Sequence, residues 1–149
     1  MAGEIPVSAG LLIDTVVVSE LRKGARAEPA VIAWQASVAT VPAYLSVITL
    51  LEIRCGLRRV AIRDPAFAAR LETWYRERLL PRFRDHLLDV DRTVAEAAAE
   101  LAAGRTLPPH DALIAATARV HDLTLVTRNV ADFAGTGVPV INPWSAPSA

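Results

Sequence analysis

The chain has 149 residues, 52% hydrophobic and 21% charged, which suits one globular domain with a real core and excludes a disordered or fibrous protein. Sixteen basic residues balance sixteen acidic ones, so no net field draws it to nucleic acid or an anionic membrane. A polyanion has to be met by a local patch.

Cys55 is the only cysteine, which excludes an internal disulfide and any multi-cysteine zinc or iron–sulfur site. The opening "MAGEIPVSAG" lacks the basic region of a secretory signal, and no apolar run approaches the ~18 residues of a membrane span. A cytoplasmic protein with no membrane partner is expected.

Residues 10–14, "GLLID", read as a short buried strand behind a loose tail over residues 1–9. Val17, Val18 and Leu21 then space as a brief helix ending at Gly24, and Pro29 opens a second helix, "EPAVIAWQASV". "AYLSVIT" is the next strand. Leu50, Ile53, Leu57 and Val60 share one face of a helix. Asp64 and Pro65 supply a cap and a first-turn proline for "AFAARLETWYRERLL", which Pro81 limits. "HLLDV" is a short strand, and "DRTVAEAAAELAAG" is a helix by propensity, with Thr93 and Glu96 spaced as a capping box. Two prolines introduce the helix "PPHDALIAATARVHD", and "LTLVT" is a buried strand. "NVADF" is a helical turn with Asn129 as its cap, and "VPVIN" is a last strand before a tail over residues 145–149. Strands alternating with helices predict a single α/β domain over residues 10–144, a central mainly parallel sheet flanked by helices on both faces.

Ligands of such a sheet bind outside the carboxyl ends of its strands. Asp14 ends the first strand, Glu52 lies in the helix after "AYLSVIT", Asp111 in the first turn behind "PPH", and Asp132 just beyond Thr127. Taken singly, an acid at a helix start serves capping and the helix dipole, worth up to ~1 kcal/mol, and that role suffices for Asp111 or Asp132. Asp14 differs, because an acid ending an apolar strand is partly desolvated. Two carboxylates ~4 Å apart repel by about 4 kcal/mol at an effective dielectric of about 20, so a cluster stays ionised only beside a cation. Oxygen ligands select Mg²⁺ or Mn²⁺, which can activate a water for attack on a phosphodiester.

Other chemistries fit less well. His86, His110 and His121 lack ligand spacing, which argues against zinc and reads them as surface or loop residues. No Gly-rich phosphate loop precedes a helix. A haloacid-dehalogenase-like phosphatase would use Asp14 but needs a second acid two residues on, where Val16 stands, and a catalytic lysine, where only Lys23 exists. No Ser or Cys with a placed His suggests a nucleophile, and Cys55 reads as a small buried apolar residue.

In order, "LLIDTVVVSELRKG", "LSVITLLEIRCGL", "PHDALIAATARVHDLTLVTRNVADF" and "VPVINPW" resemble a PIN-domain ribonuclease of the VapC toxin type, in its FitB-like branch, over residues 11 to 144. The resemblance implies a three-layer PIN-like fold and metal-dependent cleavage of RNA. It makes Asp14 and Asp111 the direct Mg²⁺ or Mn²⁺ ligands, with Glu52 and Asp132 completing the cup and Thr127 supplying a hydroxyl. It also implies a cognate VapB-type antitoxin and a homodimer, sometimes paired into a tetramer. The family usually has Asn or Ser two residues after the first Asp, where this chain has Val16. Losing such a hydrogen bond commonly costs tenfold or more in metal affinity or activity, so a weakened enzyme is expected, or a silent antitoxin-binding module. Trp74, Tyr75 and Leu79 are candidates for an interface, with a core role as the alternative. Arg22, Lys23, Arg58 and Arg59 are candidates for RNA or antitoxin contacts, and solvated helix charge accounts for them equally.

Overall fold

The computed structural model describes residues 10–145. The tails read over residues 1–9 and 145–149 lie outside them, Ser145 apart. Five strands, β1 (Leu11–Ile13), β2 (Ala43–Ser46), β3 (Leu87–Leu88), β4 (Thr124–Val126) and β5 (Val140–Ile141), form a parallel sheet in the order β3-β2-β1-β4-β5. The order reverses direction between β1 and β4, which opens a crevice at their carboxyl ends. Ile13 is in register with Val126, so Asp14 and Thr127 leave the sheet side by side.

Alternation along the strands sends side chains to two cores. Leu11, Ile13, Leu45 and Val126 pack under α1 (Thr15–Leu21), α2 (Pro29–Ser37) and the long segment from α4 (Pro65–Trp74) to α5 (Leu80–Arg82). Leu12 and Leu125 pack under α6 (Arg92–Ala102) and α7 (Pro109–Val120). Each such side chain contributes roughly 1.5–3 kcal/mol when fully buried. α3 (Val47–Arg63) serves both cores, through Ile48 on one side and Leu50 and Ile53 on the other. The buried alanines 112, 115, 116 and 118 let α7 lie close against its neighbours, which brings Asp111 to the crevice. Among the described residues no helix is long and apolar enough to cross a membrane.

Several local expectations are corrected. The strand "AYLSVIT" stops at Ser46, whose hydroxyl accepts the Ile48 N–H at 3.0 Å and turns the remaining residues into the start of α3. Thr93 and Glu96 form no capping box. Asp91 caps α6 by accepting the Val94 N–H at 2.9 Å, and Glu96 pairs with Arg92. Pro81 does not stop the helix before it. A π turn, Tyr75–Leu79, widens the helix just ahead and the chain runs on to Arg82, which absorbs the carbonyl clash and missing donor of an interior proline. Tyr75 and Leu79 are core rather than interface, and Trp74 packs against the same cluster. Cys55 is half-buried rather than buried. His86 is not a free loop residue: it stacks on Tyr44 with ring centroids 4.6 Å apart, and its Nδ1 lies 3.0 Å from the Ala43 carbonyl.

Gly10 opens β1 at φ +148°, and a Cβ there would stand 2.5 Å from the Pro42 carbonyl oxygen. Gly10→Ala is therefore expected to cost roughly 1–3 kcal/mol, read as a lower urea midpoint. An unchanged midpoint would show that β1 and β2 can part without loss.

Candidate active site

Asp14 is both the end of β1 and the cap of α1, which holds its carboxyl at the crevice with 7% exposure. Its Oδ1 accepts the Thr15 N–H at 2.8 Å, and its Oδ2 accepts the Thr127 hydroxyl at 2.7 Å. Thr127 also takes the Asn129 N–H at 3.1 Å, so one hydroxyl ties β1 to the turn after β4. Asn129 is not a side-chain cap as expected; its backbone makes this contact instead.

Glu52, one turn into α3, accepts the Thr15 hydroxyl, which also lies 3.3 Å from the Thr49 hydroxyl. Its other oxygen stands 3.4 Å from His110 Nδ1. Asp111 follows in the first turn of α7, half-buried, and Asp132 lies exposed in the 3-10 turn Val130–Phe133.

These acids share one electrostatic field. Burial pushes the Asp111 carboxyl above its usual range, and the charges of Asp14, Glu52 and Asp132 push it further, against a smaller opposing pull from His110. Burial also raises Asp14, with the Glu52 charge adding to it, against the lowering hydrogen bonds from Thr127 and Thr15. The cup thus holds more negative charge than its own hydrogen bonds offset. Among the described residues no three His, Cys, Asp or Glu side chains stand together as a ready metal cage. The donor set still fits a hard divalent cation, because magnesium usually takes one or two carboxylates and keeps waters for the rest.

Two contributors were not read from the sequence. Thr15 donates its hydroxyl to Glu52, while Val16 packs with the apolar cluster under α1. Its signal lay in Thr49, a buried hydroxyl three residues before Glu52 on the same helix face. His110 was read as surface. It is half-exposed yet faces Glu52.

The rim candidates divide. Arg22 lies over the Phe67 ring at 5.6 Å, and Lys23 bonds Glu20 at 3.0 Å. Arg58 and Arg59 are exposed on α3, six and seven residues beyond Glu52.

A parallel α/β sheet with carboxylates gathered at its reversal point defines the class. The PIN domain family matches residues 11–137, and the chain belongs to it. Within that family it stands with the VapC-type toxins. It is 36% identical to the VapC ribonuclease Y4jK of Sinorhizobium fredii, over 90% of this chain and 97% of that protein. It is 34% identical to the toxin FitB of Neisseria gonorrhoeae, over 90% and 98%. The crystal structure of FitAcB from Neisseria gonorrhoeae matches with a TM-score of 0.80 at 32% identity, over 91% of this chain and 99% of that one. A toxin-antitoxin complex from Klebsiella pneumoniae matches with a TM-score of 0.59 at 27% identity, over 89% and 97%.

The raised carboxyls fix a pH dependence. A carboxyl whose pKa is higher in the folded than in the unfolded chain favours folding when protonated, and that contribution is lost as pH rises from about 4 through the raised values. In EDTA, Asp111→Asn is expected to gain stability relative to the parent chain between about pH 4 and pH 7, by urea denaturation. A constant difference between the two proteins would mean that Asp111 feels no such field.

Proposed function

We propose that the protein is a metal-dependent endoribonuclease, the toxin of a toxin–antitoxin pair. The observation that carries this reading is the set of buried Asp14, half-buried Glu52 and Asp111 and exposed Asp132, whose charges meet at the β1/β4 crevice. The relative named a VapC ribonuclease supports the same activity.

Asp14 and Asp111 would hold Mg²⁺ or Mn²⁺, with Glu52 and Asp132 beside them. When bound, such an ion supplies the charge that makes water nucleophilic near neutral pH and shields phosphoryl oxygens. The protein's own part is positioning. Thr127 and the Thr15 amide fix both oxygens of Asp14, and the Thr15 hydroxyl with His110 aims Glu52. Single-stranded RNA suits the open cup, since its backbone and bases are free of a duplex.

The phosphatase alternative fares worse, because Val16 stands where its second acid is needed and Lys23 is engaged by Glu20. The silent-module alternative rests on Val16, and the Thr15 hydroxyl on Glu52 supports the active reading over it.

The partner in this reading is a VapB-type antitoxin, supported by the toxin–antitoxin complex among the structural matches. A hollow of about 740 Å³ beside α1, α2 and α4, with Trp34, Trp74, Arg22, Arg78 and Arg82 in its lining, offers a seat for an apolar, acidic segment. A homodimer in the cytoplasm completes the proposal. It would cover exposed Leu51 and Ile62 of α3.

Incubation with total RNA and Mg²⁺ or Mn²⁺ is expected to give new RNA ends, with Asp14→Asn and Asp111→Asn losing nearly all cleavage. Thr15→Val is expected to lose about tenfold or more, as for loss of a group that orients a metal ligand. Val16→Asn is expected to raise metal-dependent cleavage, and no gain would show that Val16 only packs. Cleavage that survives in both Asp variants, or that needs no divalent ion, would overturn the reading.

A further inference from the structure

We propose that Arg128, braced by Trp144, binds a phosphate of the RNA strand beside the acidic cup and sets the strand's position there. This rests on the nuclease reading above.

A phosphodiester entering a cup of four carboxylates is repelled until a positive group meets it. Of the sequence-predicted rim, Arg22 is stacked on Phe67 and Lys23 is bonded to Glu20. Arg58 and Arg59 sit roughly 9–11 Å along α3 from Glu52, at about 1.5 Å per helical residue. Arg128 is nearer along the backbone. Paired strands lie roughly 4.8 Å apart and a residue spans roughly 3.3 Å, which places it about one step across and one step beyond Asp14.

Its segment is also fastened to the cup. Thr127 donates to Asp14 at 2.7 Å and accepts the Asn129 N–H at 3.1 Å, so the residues on both sides of Arg128 share one hydroxyl. The arginine is exposed, and its guanidinium carbon lies 4.9 Å from the Trp144 ring centroid. Trp144 is itself fixed. Its backbone N–H donates to the Asn142 side-chain oxygen at 2.9 Å, and its ring packs against the core under α1.

A guanidinium laid over an indole keeps its N–H edge free, and that edge matches two phosphate oxygens. Bracing by the ring also lowers the entropy lost when RNA binds. With one ring face given to arginine, Trp144 serves as a support rather than as a base-stacking platform.

The test uses a fluorescein-labelled 15-nucleotide single-stranded RNA of mixed sequence and the full chain carrying Asp14→Asn, so that binding is read without cleavage. Adding Arg128→Ala is expected to weaken binding about tenfold and to reduce the slope of log affinity against log salt by about 0.7, one phosphate contact on a single strand. Trp144→Leu is expected to weaken binding in the same direction, and Trp144→Phe to recover most of the loss. If these variants lower the melting temperature but leave RNA affinity and salt slope unchanged, Arg128 is only a clasp between β4 and the segment carrying Trp144, and the proposal is overturned. If the parent chain with Mg²⁺ cuts no RNA while Arg128→Ala still weakens binding, the nuclease reading fails and the phosphate contact stands. Failure of all the proteins to bind the RNA overturns both.

Discussion

The hydrogen bond from Thr127 to Asp14 is the constraint on which the site depends. It joins the ends of two central strands that are 113 residues apart in the chain, at the point where strand order reverses. Burial alone would favour a neutral Asp14, and the hydroxyl and the Thr15 amide oppose that. The carboxyl is therefore held in one orientation with its charge only partly compensated. Glu52 and Asp111 arrive from α3 and α7 into the same field, and each adds repulsion that nothing in the crevice fully offsets.

The fold exists to deliver these groups. Two apolar cores clamp the sheet from both faces, and the small side chains of α7 allow it to approach closely enough for its first turn to reach the crevice. Strain is placed where it does not disturb the cup. The π turn before Pro81 and the left-handed glycine at position 10 lie away from the carboxyl ends of β1 and β4. The threonines at 15 and 127 convert a crevice of backbone ends into a site, because hydroxyls satisfy carboxylates without neutralising them.

The layered architecture and the four acids were legible because they follow from simple patterns. Short apolar runs alternate with helical periodicity, and acids stand at strand ends or helix starts. Boundaries were less legible. Ser46 can extend a strand or cap a helix, and only its place beside the Ile48 N–H decides. Pro81 reads as a stop unless the turn before it widens, which no local signal announces. Thr15 was missed because its partner lies 37 residues away in another element. His110 and Arg128 belong to the same lesson, since exposed charged residues acquire meaning only from what the fold sets opposite them.

The central claim is that separated acids form one hollow whose surplus negative charge is met by a hard divalent ion. Calorimetric titration of Mn²⁺ into the intact chain at about pH 7, beside Asp111→Asn, measures this directly. Saturable binding by the parent chain and its loss in the variant are expected. Equal, weak heats in the two proteins would contradict the account, whatever the chain does to RNA.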